Sequence, residues 1–116
     1  MQLMSTIFNK IINKEIEADI LYEDDKSLAF RDINPQAPEH ILIIPKKAIK
    51  TVNDIEDCDK ILIGHLFIVA KIVAKKINIY KSGYRIIFNC NEDAGQTVFH
   101  IHMHLLGGRK LLWPPG

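Results

Sequence analysis

Cysteine is scarce in this chain of 116 residues, which contains only Cys58 and Cys90. The two are isolated and do not have the spacing that metal sites use. The start of the chain also lacks a charged segment followed by an apolar run and a small-residue cleavage site. We therefore expect a reduced, cytoplasmic protein.

An excess of one charge and long hydrophobic runs are also missing. The 15 basic and 14 acidic residues are spread along the chain. The sequence therefore has neither the basic stripe that is typical of nucleic-acid binding nor the polybasic patch that is typical of membrane binding. The most apolar stretch, residues 61–74, is interrupted by His65 and Lys71 and is too short to span a bilayer. We expect no nucleic-acid partner, no membrane partner and a single domain over residues 1–116.

Histidines alternating with apolar residues are the most informative feature that is present. Side chains of a strand point alternately to opposite faces, so residues 98–106 predict a strand with three histidines on one face. These are His100, His102 and His104. The opposite, core-facing side would carry Phe99, Ile101, Met103 and Leu105. A lone strand histidine is usually packed or solvated, but three in alternation indicate chemistry near neutral pH.

The rest of the chain predicts two helices and four further strands. The helices are expected over residues 6–14, capped by Ser5, and over residues 57–77. The further strands are expected at residues 19–22, 27–31, 40–44 and 84–90. Residues 40–44 form a nearly continuous apolar run, which is typical of a central strand buried on both faces. The sum is an α+β domain, with five antiparallel strands and two helices.

The helix at residues 57–77 is apolar around most of its circumference. Its polar positions, including Lys60, Gly64, Lys71 and Lys75, gather into one narrow stripe. Such a helix needs cover on two sides, and one side is expected to face a second copy of the chain. His65 is interpreted as a packed helix residue.

Two chemistries fit three alternating histidines. Strand residues two apart are separated by about 7 Å, so the outer histidines lie about 13 Å apart and all three cannot hold one zinc ion. Two of them with His40 can, so a metal site stays open, although no cysteine or carboxylate neighbour strengthens it. Alternatively, a neutral imidazole attacks phosphorus and water then releases the phosphohistidine. The middle residue, His102, is favoured as that nucleophile.

Four other positions carry a structural and a functional interpretation. Phe8 and Ile11 have helical spacing and are most simply core residues. Asp32 opens a loop with two prolines and either caps the turn or hydrogen-bonds a diol, as ribose-binding acids do. His40 is structural unless its strand neighbours the histidine strand.

Residues 96–106 resemble the histidine triad signature, His-h-His-h-His-h-h, in which h is hydrophobic. The likeness extends to residues 8–12, 23–25, 32–38, to His40 with residues 44–46, and to the Trp-Pro-Pro-Gly ending, and so covers essentially the whole chain. The fragile-histidine-triad branch shares the signature. Residues 107–109 and the ending are instead similar to the histidine triad nucleotide-binding branch, HINT.

This resemblance implies a homodimer whose two sheets join into one. It implies binding of purine nucleotides such as AMP and GMP, and hydrolysis of the P–N bond of adenosine phosphoramidates. We expect neither a cofactor nor a metal, because three strand histidines suit a phosphate better than one ion. His102 would be the nucleophile, and the four-histidine site would be completed by His40, His100 and His104. The base pocket would be walled by Phe8, Ile11, Ile16, Phe30, Ile33 and Leu42.

The resemblance also implies roles for polar residues. Asp32 would hold the ribose hydroxyls, while Asn89, Gly95 and Thr97 would stand near the phosphate and leaving group. Thr97 and Asn34 replace serines of the family, and threonine keeps the hydroxyl but has fewer rotamers. The same residues also suit a non-catalytic nucleotide-binding regulator or a dinucleoside polyphosphate hydrolase. Besides enzymes and regulators, a metalloprotein is the third class of protein that the histidines allow.

Overall fold

One antiparallel sheet of five strands carries two α-helices in the computed structural model, which describes residues 6–116. The α-helices are α1 (Ile7–Ile12) and α2 (Lys60–Lys76). The strands are β1 (Ile20–Glu23), β2 (Ser27–Arg31), β3 (Glu39–Pro45), β4 (Tyr84–Phe88) and β5 (Met103–Gly107). Short 3-10 turns occupy Val52–Asp54, Asp57–Asp59 and Glu92–Ala94. The predicted α+β fold class is confirmed.

The sheet order β1-β2-β3-β5-β4 places β3 at the centre. Its residues 41–44 are buried, because α2 covers one face of the strand and α1 lies over the other. On the α2 side, Ile41 and Ile43 pack with Leu66, Val69 and Met103. The opposite side is built from Phe8, Ile11, Leu28, Phe30, Leu42 and Ile44. The prediction of a central strand buried on both faces is confirmed.

Several element ends differ from the predicted ones. Helix α1 is shorter than expected, and its N-cap is Thr6, whose hydroxyl accepts from the Asn9 amide. The predicted Ser5 cap lies outside the described residues. Helix α2 starts at Lys60 because residues 57–59 form a 3-10 turn. Strand β4 ends at Phe88 instead of residue 90.

The predicted histidine strand is wrong in its first half, because β5 begins only at Met103. Met103 pairs with Ile43 on one side and Phe88 on the other, and β4 ends there. Further along β3 stands Pro45, which has no amide to donate. The Ile101 amide instead donates to the Ile49 carbonyl oxygen at 2.7 Å, outside the sheet.

The apolar residues of this segment, which are predicted to face the core, therefore do not all do so. Ile101, Met103 and Leu105 are buried as predicted, whereas Phe99 is 45% exposed. Phe99 lies on a bend and not on a strand, so the core position predicted for it is wrong.

Helix α2 buries Leu66, Val69 and Val73 against the sheet and leaves a second apolar face exposed. That exposed face consists of Ile61, Ile68 and Ile72, at spacings of seven and four residues, while Phe67 is exposed on the other side of Lys71. Within residues 6–116, no helix combines the length and apolarity needed to cross a membrane. His65 is a partly exposed residue that bonds the Asp24 carboxylate at 2.6 Å, so apolar packing does not describe it.

Candidate active site

The neighbouring strands β3 and β5 bring His40 and His104 together. Leu42 pairs with His104 across these strands, and the ring of His40 reaches the same face two residues away. The Nε2 atom of His40 lies 2.9 Å from Nδ1 of His104. The ring of His102 lies 4.9 Å from that of His104, although His102 precedes the strand. The side chains therefore converge without the regular strand that the sequence predicts.

His102 is fixed in one tautomer by a backbone carbonyl group. Its Nδ1 lies 2.8 Å from the carbonyl oxygen of His100. A carbonyl oxygen only accepts, so Nδ1 carries the proton and Nε2 keeps a lone pair. The Phe8 ring packs edge-to-face with this imidazole, with 5.0 Å between the ring centroids and 81° between the ring planes. This contact restricts the rotation of the imidazole. This is the arrangement that a nucleophilic imidazole needs.

A chain of hydrogen bonds sets the tautomers of His40 and His104. The backbone amide of Gln36 donates to His40 Nδ1 at 3.0 Å, so the proton of neutral His40 lies on Nε2. His40 Nε2–H then donates to His104 Nδ1, which leaves the His104 proton on Nε2. His104 consequently offers an N–H donor, while His102 offers a lone pair.

His100 lies behind the other histidines. It is 1% exposed, and its Nε2–H donates to the Pro45 carbonyl oxygen at 2.7 Å. Its Nδ1 is buried without a hydrogen-bond partner in the described part of the chain. His100 therefore contacts the site through its own carbonyl group, which holds His102.

Burial lowers the pKa of all four histidines. Loss of hydration is the largest cause in each, and it lowers the pKa of His104 to about 4 with help from the neighbouring His102 and His40. For His40 and His102, the Asp32 carboxylate opposes the shift without reversing it. The pKa of His100 is lowered by burial as well. Burial therefore favours the neutral form of all four rings.

A carboxylate and two histidines meet in the arrangement expected of a cation site. Asp32, His40 and His104 each place one ligand atom within 4.8 Å of the others. The sequence indicated no such carboxylate neighbour. However, metal ligation needs a lone pair on the nitrogen, and the Gln36 amide keeps the proton of His40 on Nε2. The trio therefore suits hydrogen bonding better than a metal.

A cavity of about 580 Å³ opens in front of the histidines. The resemblance implies ten site residues besides the histidines, and nine of these ten line this cavity. They are Phe8, Ile11, Ile16, Phe30, Asp32, Ile33, Leu42, Gly95 and Thr97. His40, His102 and His104 line it too. Phe8 and Ile11 are also core residues, so the core interpretation is confirmed, and their contact with a base stays a prediction.

Asp32 caps its loop, as one of its two interpretations predicts, and its second oxygen lies towards the cavity. One carboxylate oxygen accepts from the Asn34 amide at 2.9 Å and so caps the loop. The other lies 3.5 Å from His40 Nε2 and borders the cavity. This second oxygen is placed to accept from a bound diol.

Asn89 is the one of these ten residues that lies outside this cavity. It lines a second cavity of about 770 Å³ with Arg85, Asp93 and Trp113. The two cavities share Gln36, His40 and His104. A bound group that reacts at the histidines therefore has space on both sides.

Sequence reasoning missed two residues that shape the site. Gln36 lies between two prolines, and its contribution is a backbone amide, which side-chain identity does not reveal. Gln96 is buried, and its amide group donates to Lys50 and Val98 carbonyl oxygens, while its oxygen accepts from the Asn91 amide. These bonds order the loop that presents Gly95 and Thr97.

Comparison with known proteins identifies relatives of this chain and of its fold. Residues 13–111 match the HIT domain family. An uncharacterized HIT-like protein of Synechococcus elongatus is 52% identical over 111 residues, which cover 96% of each chain. A HIT family hydrolase from Legionella pneumophila superposes with a TM-score of 0.94 at 52% identity, covering 97% of this chain and 100% of that one. The histidine triad nucleotide-binding protein from Candida albicans gives a TM-score of 0.80 at 32% identity, covering 95% and 83%.

Proposed function

The chain belongs to the HIT domain family, and we propose that it hydrolyses the P–N bond of purine nucleoside phosphoramidates through His102. The observation that carries this proposal is the tautomer of His102, whose Nε2 lone pair borders a cavity large enough for a ligand. The hydrolase from Legionella pneumophila, which shares this fold at 52% identity, supports a hydrolytic reaction.

Nucleotide binding is supported by the chemistry of the cavity walls. Aromatic and aliphatic side chains, including Phe8, Phe30 and Leu42, suit a flat purine ring. The free oxygen of Asp32 suits the ribose hydroxyls. The relative from Candida albicans is described as nucleotide-binding. These features, with the Trp-Pro-Pro-Gly ending, favour the HINT branch of the family.

The proposed reaction has two steps. In the first, His102 Nε2 attacks phosphorus, an N–P bond forms and the P–N bond of the substrate breaks, while the departing amine takes up a proton from solvent. In the second, water attacks phosphorus, the N–P bond breaks and a nucleoside monophosphate leaves, with one proton returned to solvent. His104 Nε2–H donates to a phosphoryl oxygen throughout, where negative charge accumulates.

The test is incubation of the purified protein with an adenosine phosphoramidate, with and without EDTA, while AMP release is measured. We expect AMP in both samples, because the His40 tautomer disfavours a metal. Turnover that EDTA removes and zinc restores would favour a metalloenzyme. Binding of AMP without any turnover would favour the regulatory alternative, and preferential cleavage of dinucleoside polyphosphates would favour the other hydrolase.

We further propose that the protein acts as a homodimer built from one HIT domain per chain. The apolar face of α2, which includes Ile61, Ile68 and Ile72, is exposed in the single chain. Among residues 6–116, strand β4 stands at the edge of the sheet and has β5 as its one neighbour. An open strand edge beside an apolar helix face is suited to pairing with a second copy.

A further inference from the structure

We propose that Glu17 makes the nucleotide cavity select guanine over adenine, an inference that rests on the proposed function. Glu17 lines the cavity that contains His102 and His104. It lies between Ile16 and Ala18, which line the same cavity, in the segment between α1 and β1. A carboxylate among otherwise apolar neighbours is a specific feature, because a purine ring alone requires only apolar walls.

The order of groups in a nucleotide sets which part of the ligand reaches Glu17. A phosphate at His102 and a ribose at Asp32 direct the base away from the histidines. The walls away from the histidines and Asp32 include α1, Phe30 and residues 16–18, together with Arg31, Ile33, Leu42 and Val98. The base therefore lies beside Glu17, with its polar edge available to the carboxylate.

Glu17 is available because the other charged groups nearby are already engaged. The Arg31 guanidinium lies 2.8 Å from the Glu39 carboxylate and 3.4 Å from that of Asp19. Asp32 bonds the Asn34 amide and lies against His40. Within residues 6–116, no hydrogen bond or ion pair involves the Glu17 side chain.

A carboxylate distinguishes the two purines by their hydrogen-bonding edges. Guanine presents two adjacent donors, N1–H and the 2-amino group, which match the two oxygens of a carboxylate. Adenine presents one donor, its 6-amino group, next to the N1 acceptor, whose lone pair faces the second oxygen. Hypoxanthine keeps N1–H and lacks the 2-amino group. The expected order of affinity is GMP, then IMP, then AMP.

The size of the preference is limited because Glu17 is exposed. We expect GMP to bind about threefold to tenfold more tightly than AMP, since a charged hydrogen bond in contact with water is weakened. The same ratio is expected in kcat/KM for the guanosine and adenosine phosphoramidates, because the base contacts do not change during the reaction.

The experiment measures dissociation constants of GMP, IMP and AMP by calorimetry for three proteins. These are the wild type, Glu17→Gln and the control Glu15→Gln. Glu15 is an exposed glutamate that does not line the cavity. Glutamine presents both a donor and an acceptor and suits either purine, so Glu17→Gln should bring the three constants within about twofold. Glu15→Gln should keep the wild-type order.

Equal affinities in the wild type, tighter binding of AMP, or a guanine preference that survives Glu17→Gln would each overturn this inference. In those cases the proposed hydrolase activity is untouched, because AMP release from a phosphoramidate reports it separately. If none of the three nucleotides binds and no phosphoramidate is cleaved, both the inference and the proposed function are wrong.

Discussion

His102 owes its tautomer to the main chain. The acceptor for its Nδ1–H is the carbonyl oxygen of His100, which every residue at that position would provide. The His100 side chain contributes indirectly, by anchoring this segment to the Pro45 carbonyl oxygen. A change at His100 therefore loosens the orientation of His102, while a change at His102 removes the attacking atom itself.

Replacing His102 by alanine should abolish turnover and leave nucleotide affinity largely intact. Loss of a covalent route raises the activation free energy by on the order of 5 kcal/mol or more. The residues proposed to contact the base and the ribose lie on other elements. Phosphoramidate turnover and AMP binding should be measured on the same sample. His100→Asn, which keeps the carbonyl group, should lose less activity.

His65→Ala is the matched control, because His65 lies on α2 and lines a different cavity. It should keep wild-type turnover. Rapid quench with a phosphorus-labelled substrate should trap acid-labile label on the wild type. Near-normal turnover of His102→Ala, or label on His104, would contradict the assigned roles.

The pH dependence of activity follows from the neutral state of the same ring. Burial lowers the pKa of His102, so it stays unprotonated, and nucleophilic, at pH values where an exposed histidine is already charged. The acid limb of kcat/KM should therefore have an apparent pKa below 6.5, the ordinary value for histidine. The rate of His102→Ala, measured in parallel, corrects for acid hydrolysis of the substrate. An acid limb centred at 6.5 or above would contradict a buried neutral nucleophile.

At the scale of elements, strand pairing explains which parts of the site the sequence predicts. Residues 40–44 were recognisable as a central strand because their apolar run is local information. The start of β5 is not predictable in this way, because residues 98–102 alternate like a strand, while Pro45 and the end of β4 leave them without pairing partners. The sequence identifies the four histidines of the site, but their tautomers depend on the Gln36 amide and on the carbonyl groups of His100 and Pro45, which only the tertiary structure places.

The end of β5 is held against the loop that carries Asp32 and Gln36. Gly108 has a φ of +88°, and a Cβ added there would lie 2.9 Å from the Pro38 Cβ. Gly108→Ala therefore combines a left-handed backbone with a clash. It should lower the free energy of unfolding by about 1–3 kcal/mol and weaken AMP binding, because the loop must move.

Gly95→Ala separates these two effects. Gly95 also has a positive φ, +83°, but its added Cβ would meet nothing within 4 Å. In chemical denaturation, Gly95→Ala should cost less stability than Gly108→Ala, and the difference measures the Pro38 contact. Equal losses for the two variants would show that backbone strain alone accounts for the effect.

For the whole molecule, burial of neutral histidines links stability to pH. The folded-state pKa of each ring in the site is lowered, so the unfolded chain binds more protons below pH 6.5. Stability from this source is present above the unfolded pKa. It is lost progressively as the pH falls from 6.5 towards about 4, the folded value for His104.

The largest feature unexplained by a single chain is the exposed apolar face of α2. Ile61 is 83% exposed and Ile68 48%. Water contact with such a face is unfavourable, so a second copy should cover it. Sedimentation velocity at micromolar concentration should therefore give a species of about twice the 13.3 kDa chain mass.

Ile68→Lys should shift this species towards the monomer. The control Val52→Lys lies on a 3-10 turn outside α2 and β4 and should leave the dimer unchanged. A wild-type species at 13.3 kDa alone would rule out this dimer.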